Sequence, residues 1–118
     1  MDARVRHLGL VVKNLEAEMQ WFKWFGFDKV SKAPEIWGDN SLLIGKMTDK
    51  EGSMIELIQG DWKPHVALTV KDGSVMEDIW LKFGTKNGTI MERKNRTDKT
   101  ILYLRNPSGN YTEVVYER

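Results

Sequence analysis

Apolar and polar positions along this chain fall into two periods that alternate, and the alternation happens twice. In "VRHLGLVV" (Val5 to Val12) the period is two: Leu8, Leu10 and Val12 share one face of a strand, expected to pack on the helix that follows, and His7, Gly9 and Val11 share the other. The period then lengthens. Leu15, Met19 and Phe22 recur at helical spacing, with Asn14 in the N-cap position and Gly26 where a C-terminal cap belongs. Strand-like runs follow at Lys29–Ile36, Ser41–Lys46 and Ser53–Gln59, separated by Gly38-Asp39-Asn40 and by the polar stretch Thr48–Gly52. The second half repeats this order. Val66, Leu68 and Val70 are expected to face a helix, with His65, Ala67 and Thr69 turned away. Ser74 and Glu77 form a capping-box pattern. Met76, Ile79, Trp80 and Phe83 make the apolar stripe, and Gly84 ends the helix. Strands are expected at Gly88–Lys94, Lys99–Arg105 and Tyr111–Glu117.

The likeness extends to residue identities. Residues 7–26 set against 65–84 give six identities in twenty: His7/His65, Leu10/Leu68, Val12/Val70, Lys13/Lys71, Phe25/Phe83 and Gly26/Gly84. Further on the offset slips from 58 to 57, and "MIELI" (Met54 to Ile58) meets "YTEVV" (Tyr111 to Val115), pairing Glu56 with Glu113. Such self-similarity reads as an internal duplication. The expected fold is α+β, two βαβββ modules (1–60 and 61–118) in one domain of 118 residues, joined only by Gly60–Pro64.

Composition narrows the chemistry. With 18 basic and 17 acidic side chains the formal charge is +1, which gives no net field for nucleic acid or an anionic membrane. There is no cysteine, hence no disulfide framework, no thiolate nucleophile and no Cys-type zinc site. No apolar run approaches a membrane span, and "MDARVRHLGLVV" lacks the pattern of a signal peptide, so a cytoplasmic location is expected.

The two histidines are the only ones in the chain, and both open the first strand of a module. Each is matched by a glutamate in the middle of that module's last strand, among apolar neighbours: Glu56 lies 56 − 7 = 49 residues after His7, and Glu113 lies 113 − 65 = 48 after His65. A lone strand histidine is ordinarily a packed core residue, and a lone glutamate can point to solvent. Occurring together at equivalent places, His7, Glu56, His65 and Glu113 point to a divalent metal site: imidazole and carboxylate suit first-row ions, and neither module completes such a site alone. Among the aromatic residues, Trp21, Phe22 and Phe25 align with Ile79, Trp80 and Phe83 and are expected in the core. Trp24 aligns with Lys82, which suggests exposure or a subunit interface. Trp37 and Trp62 either line a pocket or pack on the surface, and "RKNRTDK" (Arg93 to Lys99) reads as a solvated basic hairpin, the alternative being contact with an anionic substrate.

The segments "HLGLVVKNLEAEMQWFKWFGF", "MIELI", "HVALTV" and "NPSGNYTEV", in that order over essentially the whole chain, resemble the vicinal oxygen chelate superfamily. That superfamily includes glyoxalase I, methylmalonyl-CoA epimerase, extradiol dioxygenases and the fosfomycin and bleomycin resistance proteins. The resemblance implies a cupped, mostly antiparallel sheet with helices outside, a homodimer, a small-molecule substrate, and His7, Glu56, His65 and Glu113 as ligands of nickel, cobalt, zinc, manganese or iron. It also implies proton abstraction next to a carbonyl through a metal-bound enediolate, in an isomerase, epimerase or lyase, with Glu113 or Glu56 as the base. Glyoxalase I carries an arginine four residues after its first histidine and an asparagine four after its first glutamate, both contacting glutathione. Here these positions are Val11 and Gly60, which argues against glutathione. The opening "RVRHLGLVVKNLE" also resembles methylmalonyl-CoA epimerases, although those have a longer loop between modules and a double histidine where this chain has Pro64-His65. An extradiol dioxygenase uses two histidines and one carboxylate on iron plus a further proton-handling residue, and Glu56 would fill the position it leaves open. The alternative of another class is a bleomycin-resistance-like binding protein, whose aromatic walls the five tryptophans could supply.

Overall fold

A computed structural model describes residues 3–84, 90–108 and 110–118. Its elements are β1 (Ala3–Val12), α1 (Leu15–Lys23), β2 (Lys29–Trp37), β3 (Asn40–Thr48), β4 (Met54–Gln59), β5 (His65–Val70), α2 (Gly73–Phe83), β6 (Ile90–Asn95), β7 (Lys99–Arg105) and β8 (Tyr111–Glu117). The fold is α+β, built of two βαβββ modules as expected. Strand limits agree with the sequence pattern to within two residues where both can be compared. Gly88, the expected start of β6, lies outside the described residues.

The chain divides into two compact units, one of His7–Pro64 and the other of Met1–Arg6 with His65–Arg118. Arg6 is tied to the second unit by an ion pair with Glu117 near the end of β8. Within the first unit the strand order is β2-β3-β4-β1, and within the second it is β6-β7-β8-β5, the same arrangement. In each, the first strand runs parallel to the last, whereas the other pairs are antiparallel. That neighbourhood of first and last strands matters most for the chemistry.

Each helix covers one face of its own sheet. Helix α1 lies over β3 and β4, and α2 over β5 and β8. Under α1, Leu15 and Met19 bury against Met47, Ile55 and Leu57, with Val12, Phe22, Phe27 and Leu43 partly buried around them. Under α2, Met76 and Ile79 meet Val70, Leu102 and Val114. Several side chains expected in these cores lie outside them. Leu8 and Leu10 are exposed, because α1 sits over β3 and β4 and only Val12 at the end of β1 reaches its cluster. Trp21 and Phe25 are about three-fifths exposed and pack on each other edge to face, their centroids 5.5 Å apart. Trp80 is exposed at 38%, with the Arg93 guanidinium 5.3 Å from its ring centroid. Trp24 is the most exposed, at 85%.

The helix starts differ from one another. Asn14 caps α1 as expected, accepting from the Ala17 amide at 3.1 Å, and Gly26 turns the chain away with φ 96°. The cap of α2 is Asp72, not Ser74: its carboxylate accepts from the Ser74 amide at 2.9 Å, and the helix already begins at Gly73. Glu77, freed from the expected capping box, accepts from Arg93 Nη2 at 2.6 Å. The Ser74 hydrogen bond holds the Asp72 carboxyl below the usual carboxylate range. The cap's contribution is therefore complete above the ordinary Asp value of about 3.9 and is lost as pH falls through the lowered folded value. Asp72→Asn caps without titrating, so its melting temperature is expected to fall less steeply than that of the parent protein in acid, and thermal melts at descending pH check this.

Candidate metal centre

The register of β1 against β4 explains how one module gathers two chemical groups. Gly9 stands opposite Glu56, and His7 lies two residues before Gly9 on the same face. This is the face turned away from α1, since Ile55 and Leu57 on either side of Glu56 belong to the helix-side core. His7 and Glu56 are thus diagonal neighbours, with Nε2 and Oε1 3.8 Å apart. The second module repeats the geometry: Ala67 stands opposite Glu113, His65 lies two residues earlier, and its Nε2 is again 3.8 Å from Glu113 Oε1. Sequence position alone therefore predicts two His–Glu pairs, and both form. The residue facing each glutamate from the first strand is small, glycine or alanine, which leaves room beside the carboxylate.

Burial makes these pairs consequential. His7, Glu56 and His65 are buried, and the Glu113 side chain retains only 16% exposure against 5% for Glu56. A buried carboxylate beside an imidazole is costly unless a proton or a cation compensates its charge. At 3.8 Å the nitrogen and oxygen are too far apart for a direct hydrogen bond. Two donors each about 2.1 Å from a shared ion stand about 3–4 Å apart, so the spacing fits a divalent ion. The donors are also of the right kind, imidazole nitrogen and carboxylate oxygen.

Around the first pair, the same face carries a cluster of Leu42, Ile44 and Ile58 with Trp37 and Trp62 packed against it. The two indoles meet edge to face, 5.2 Å between centroids. Gly60 makes this possible. Its φ of 138° belongs to glycine, and a Cβ there would lie 2.6 Å from Leu42 Cδ2. The turn at Gly60 carries Trp62 back over the sheet. In the second module, two charges of the Arg93–Lys99 hairpin are engaged locally: Arg93 with Glu77, and Lys94 both with Glu92 at 3.9 Å and over the Tyr103 ring at 5.4 Å.

Two positions went unmarked in the sequence. On the other side of Glu56 from Gly9 stands Lys46 of β3, and on the other side of Glu113 from Ala67 stands Tyr103 of β7. The offset of 57 that pairs the glutamates also pairs these two, 103 − 46 = 57, yet they are not identical residues and a search for identities passes over them.

Comparison with solved structures aligns the chain with methylmalonyl-CoA epimerase from Mycobacterium tuberculosis at a TM-score of 0.68 and 16% identity, over 97% of this chain and 87% of that one. This is the vicinal oxygen chelate fold. Two further structures agree with it. Methylmalonyl-CoA epimerase from Streptomyces coelicolor, in complex with 2-nitronate-propionyl-CoA, aligns at a TM-score of 0.61 and 17% identity, covering 97% of this chain and 94% of that one. A glyoxalase I variant from Zea mays aligns at 0.61 and 19% identity, covering 96% of this chain but 42% of the longer plant protein. No family model matches the chain, and no curated protein matches it in sequence. A vicinal oxygen chelate fold with enzymes among its neighbours thus carries, in each module, a His–Glu pair on the face away from the helix.

Proposed function

We propose that the two units work as one domain, residues 1–118, in which His7, Glu56, His65 and Glu113 hold a divalent metal ion and catalyse proton abstraction from a carbon next to a carbonyl. The observation that carries this proposal is the pair of repeat-equivalent His–Glu contacts at 3.8 Å, each with a buried imidazole. Neighbours named as methylmalonyl-CoA epimerase and glyoxalase I support the reaction class. Nickel, cobalt, zinc, manganese and iron all suit the donor set. Such an ion, when bound, supplies Lewis-acid polarisation of the carbonyl oxygen.

The residues have distinct duties. The two imidazoles, fixed in the middle of β1 and at the start of β5, set where the carbonyl oxygen is oriented. Glu56, the more buried carboxylate, serves chiefly as a ligand. Glu113, with the more accessible side chain, takes the proton at a carboxylate oxygen and returns it to the same or the neighbouring carbon. Return of that proton to the neighbouring carbon gives isomerisation, whereas epimerisation takes a proton delivered to the opposite face of the same carbon, a role that falls to Glu56 as the second carboxylate. A small carbonyl substrate and a homodimer belong to the same proposal.

Elemental analysis of the purified protein is the direct test. Near-stoichiometric nickel, cobalt, zinc, manganese or iron is expected, lost in a His7→Ala/His65→Ala double variant that keeps its circular dichroism spectrum. A protein that carries no metal and takes none up after incubation with each ion would overturn the proposal. Tryptophan fluorescence against small-molecule ligands would then test a binding role.

A further inference from the structure

The two modules match at histidine and glutamate but part company at the strand beside each glutamate. Lys46 on β3 stands directly across from Glu56, side chains on one face of the sheet, with Ser31 of β2 on its far side. Directly opposed residues in an antiparallel pair have Cβ atoms about 4.5–5.5 Å apart, so a lysine stem easily brings its ammonium group beside the carboxylate. Gly45 and Met47, the neighbours of Lys46 in β3, confirm which face this is: a Cβ on Gly45 would meet Leu15 and Met19 of α1, and Met47 is buried in the helix-side core. Lys46 is itself partly buried, and among the described residues no ion pair joins it to an acid within 4.0 Å. The equivalent place in module two holds Tyr103, a phenol. The residue directly across from the glutamate is therefore a cation in module one and a phenol in module two, where Lys94 lies over the Tyr103 ring instead of facing the carboxylate.

A half-buried ammonium set against a glutamate has two uses. It can balance that carboxylate, or it can receive an anion from outside. Once Glu56 serves a divalent ion, as the metal proposal on which this inference rests requires, its charge is already taken and Lys46 is left facing a cation. An anionic group on the substrate then completes the charge balance on this face. We propose that Lys46 is a specificity-determining residue that binds a carboxylate of the substrate, making the substrate class carbonyl compounds that also bear a carboxylate. No proton needs to move at Lys46 for this, only a charge-assisted hydrogen bond from its ammonium to the carboxylate oxygen.

Pyruvate and methyl pyruvate, which differ in that charge and in one small methyl group, are suitable probes. Titration calorimetry on the purified protein is expected to show the acid binding about tenfold or more tighter than the ester. Lys46→Met should erase the preference, and Lys46→Arg should restore it, with folded circular dichroism spectra throughout. Equal affinity for acid and ester in the parent protein, no saturable binding of the acid, or an undiminished preference in Lys46→Met would each overturn the assignment. Elemental analysis of the same samples keeps the two proposals apart. Metal present with no charge preference removes the role of Lys46 alone, whereas a Lys46-dependent preference without metal removes the metal centre alone.

Discussion

Glu113→Gln is expected to lower turnover by about 10²- to 10⁴-fold while leaving metal content close to that of the parent protein. The amide keeps the size of the side chain and an oxygen able to ligate, but it no longer accepts a proton. The loss should therefore fall on kcat more than on KM, because substrate binding is retained and the proton-transfer step is not. Glu56→Gln makes the contrast. Glu56 is buried between Gly9 and Lys46, so its substitution should weaken metal retention first and affect turnover through that loss. Exchange of the carbon-bound hydrogen of a carbonyl acid with deuterated water in the presence of the protein, followed by nuclear magnetic resonance, reads the step directly. Unchanged exchange in Glu113→Gln would remove that residue as the base.

Gly60→Asn is the second large effect, and it falls on stability. A side chain at a φ of 138° is strained, and the added Cβ would sit 2.6 Å from Leu42 Cδ2 in a cluster already closed by Trp37 and Trp62. Backbone strain and overpacking together are expected to cost roughly 2–5 kcal/mol. Urea unfolding monitored by tryptophan fluorescence measures this, and a cost below about 1 kcal/mol would show that the turn relaxes freely. Glycine here has a packing reason of its own: no larger residue can be installed without moving Leu42 or the link that carries Trp62.

Much of this was legible in the chain because it is local or because it is repeated. Asn14 capping α1, Gly26 ending it, and the order of the strands follow from periodicity and punctuation. The His–Glu pairs followed from duplication, since two sparse residue types recurring at matched places carry more information than either alone. What escaped was non-local. Helix α1 has apolar side chains on several sides, and only the stripe of Leu15, Met19 and Phe22 meets the sheet, so Trp21 and Phe25 could not be told from core residues by spacing. Leu8 and Leu10 alternate as a buried face should, yet the helix lies over β3 and β4, a placement no strand-by-strand pattern contains. The cap of α2 failed for a smaller reason: Asp72 and Ser74 both suit the position, and the helix began early enough for the carboxylate to take it. Lys46 lies ten residues from Glu56, and only the register of β3 against β4 makes them neighbours.

The parallel pairing of first and last strands has a consequence for the order of events in folding. A hairpin such as β2–β3 joins neighbours in the chain and closes quickly, but β1 meets β4 only after the helix and two strands between them have been laid down. Each histidine is therefore brought to its glutamate by the longest closure its module makes. A half-folded module has helix and hairpin but no His–Glu pair, so the proposed ion could be captured only after the ends of each module have met.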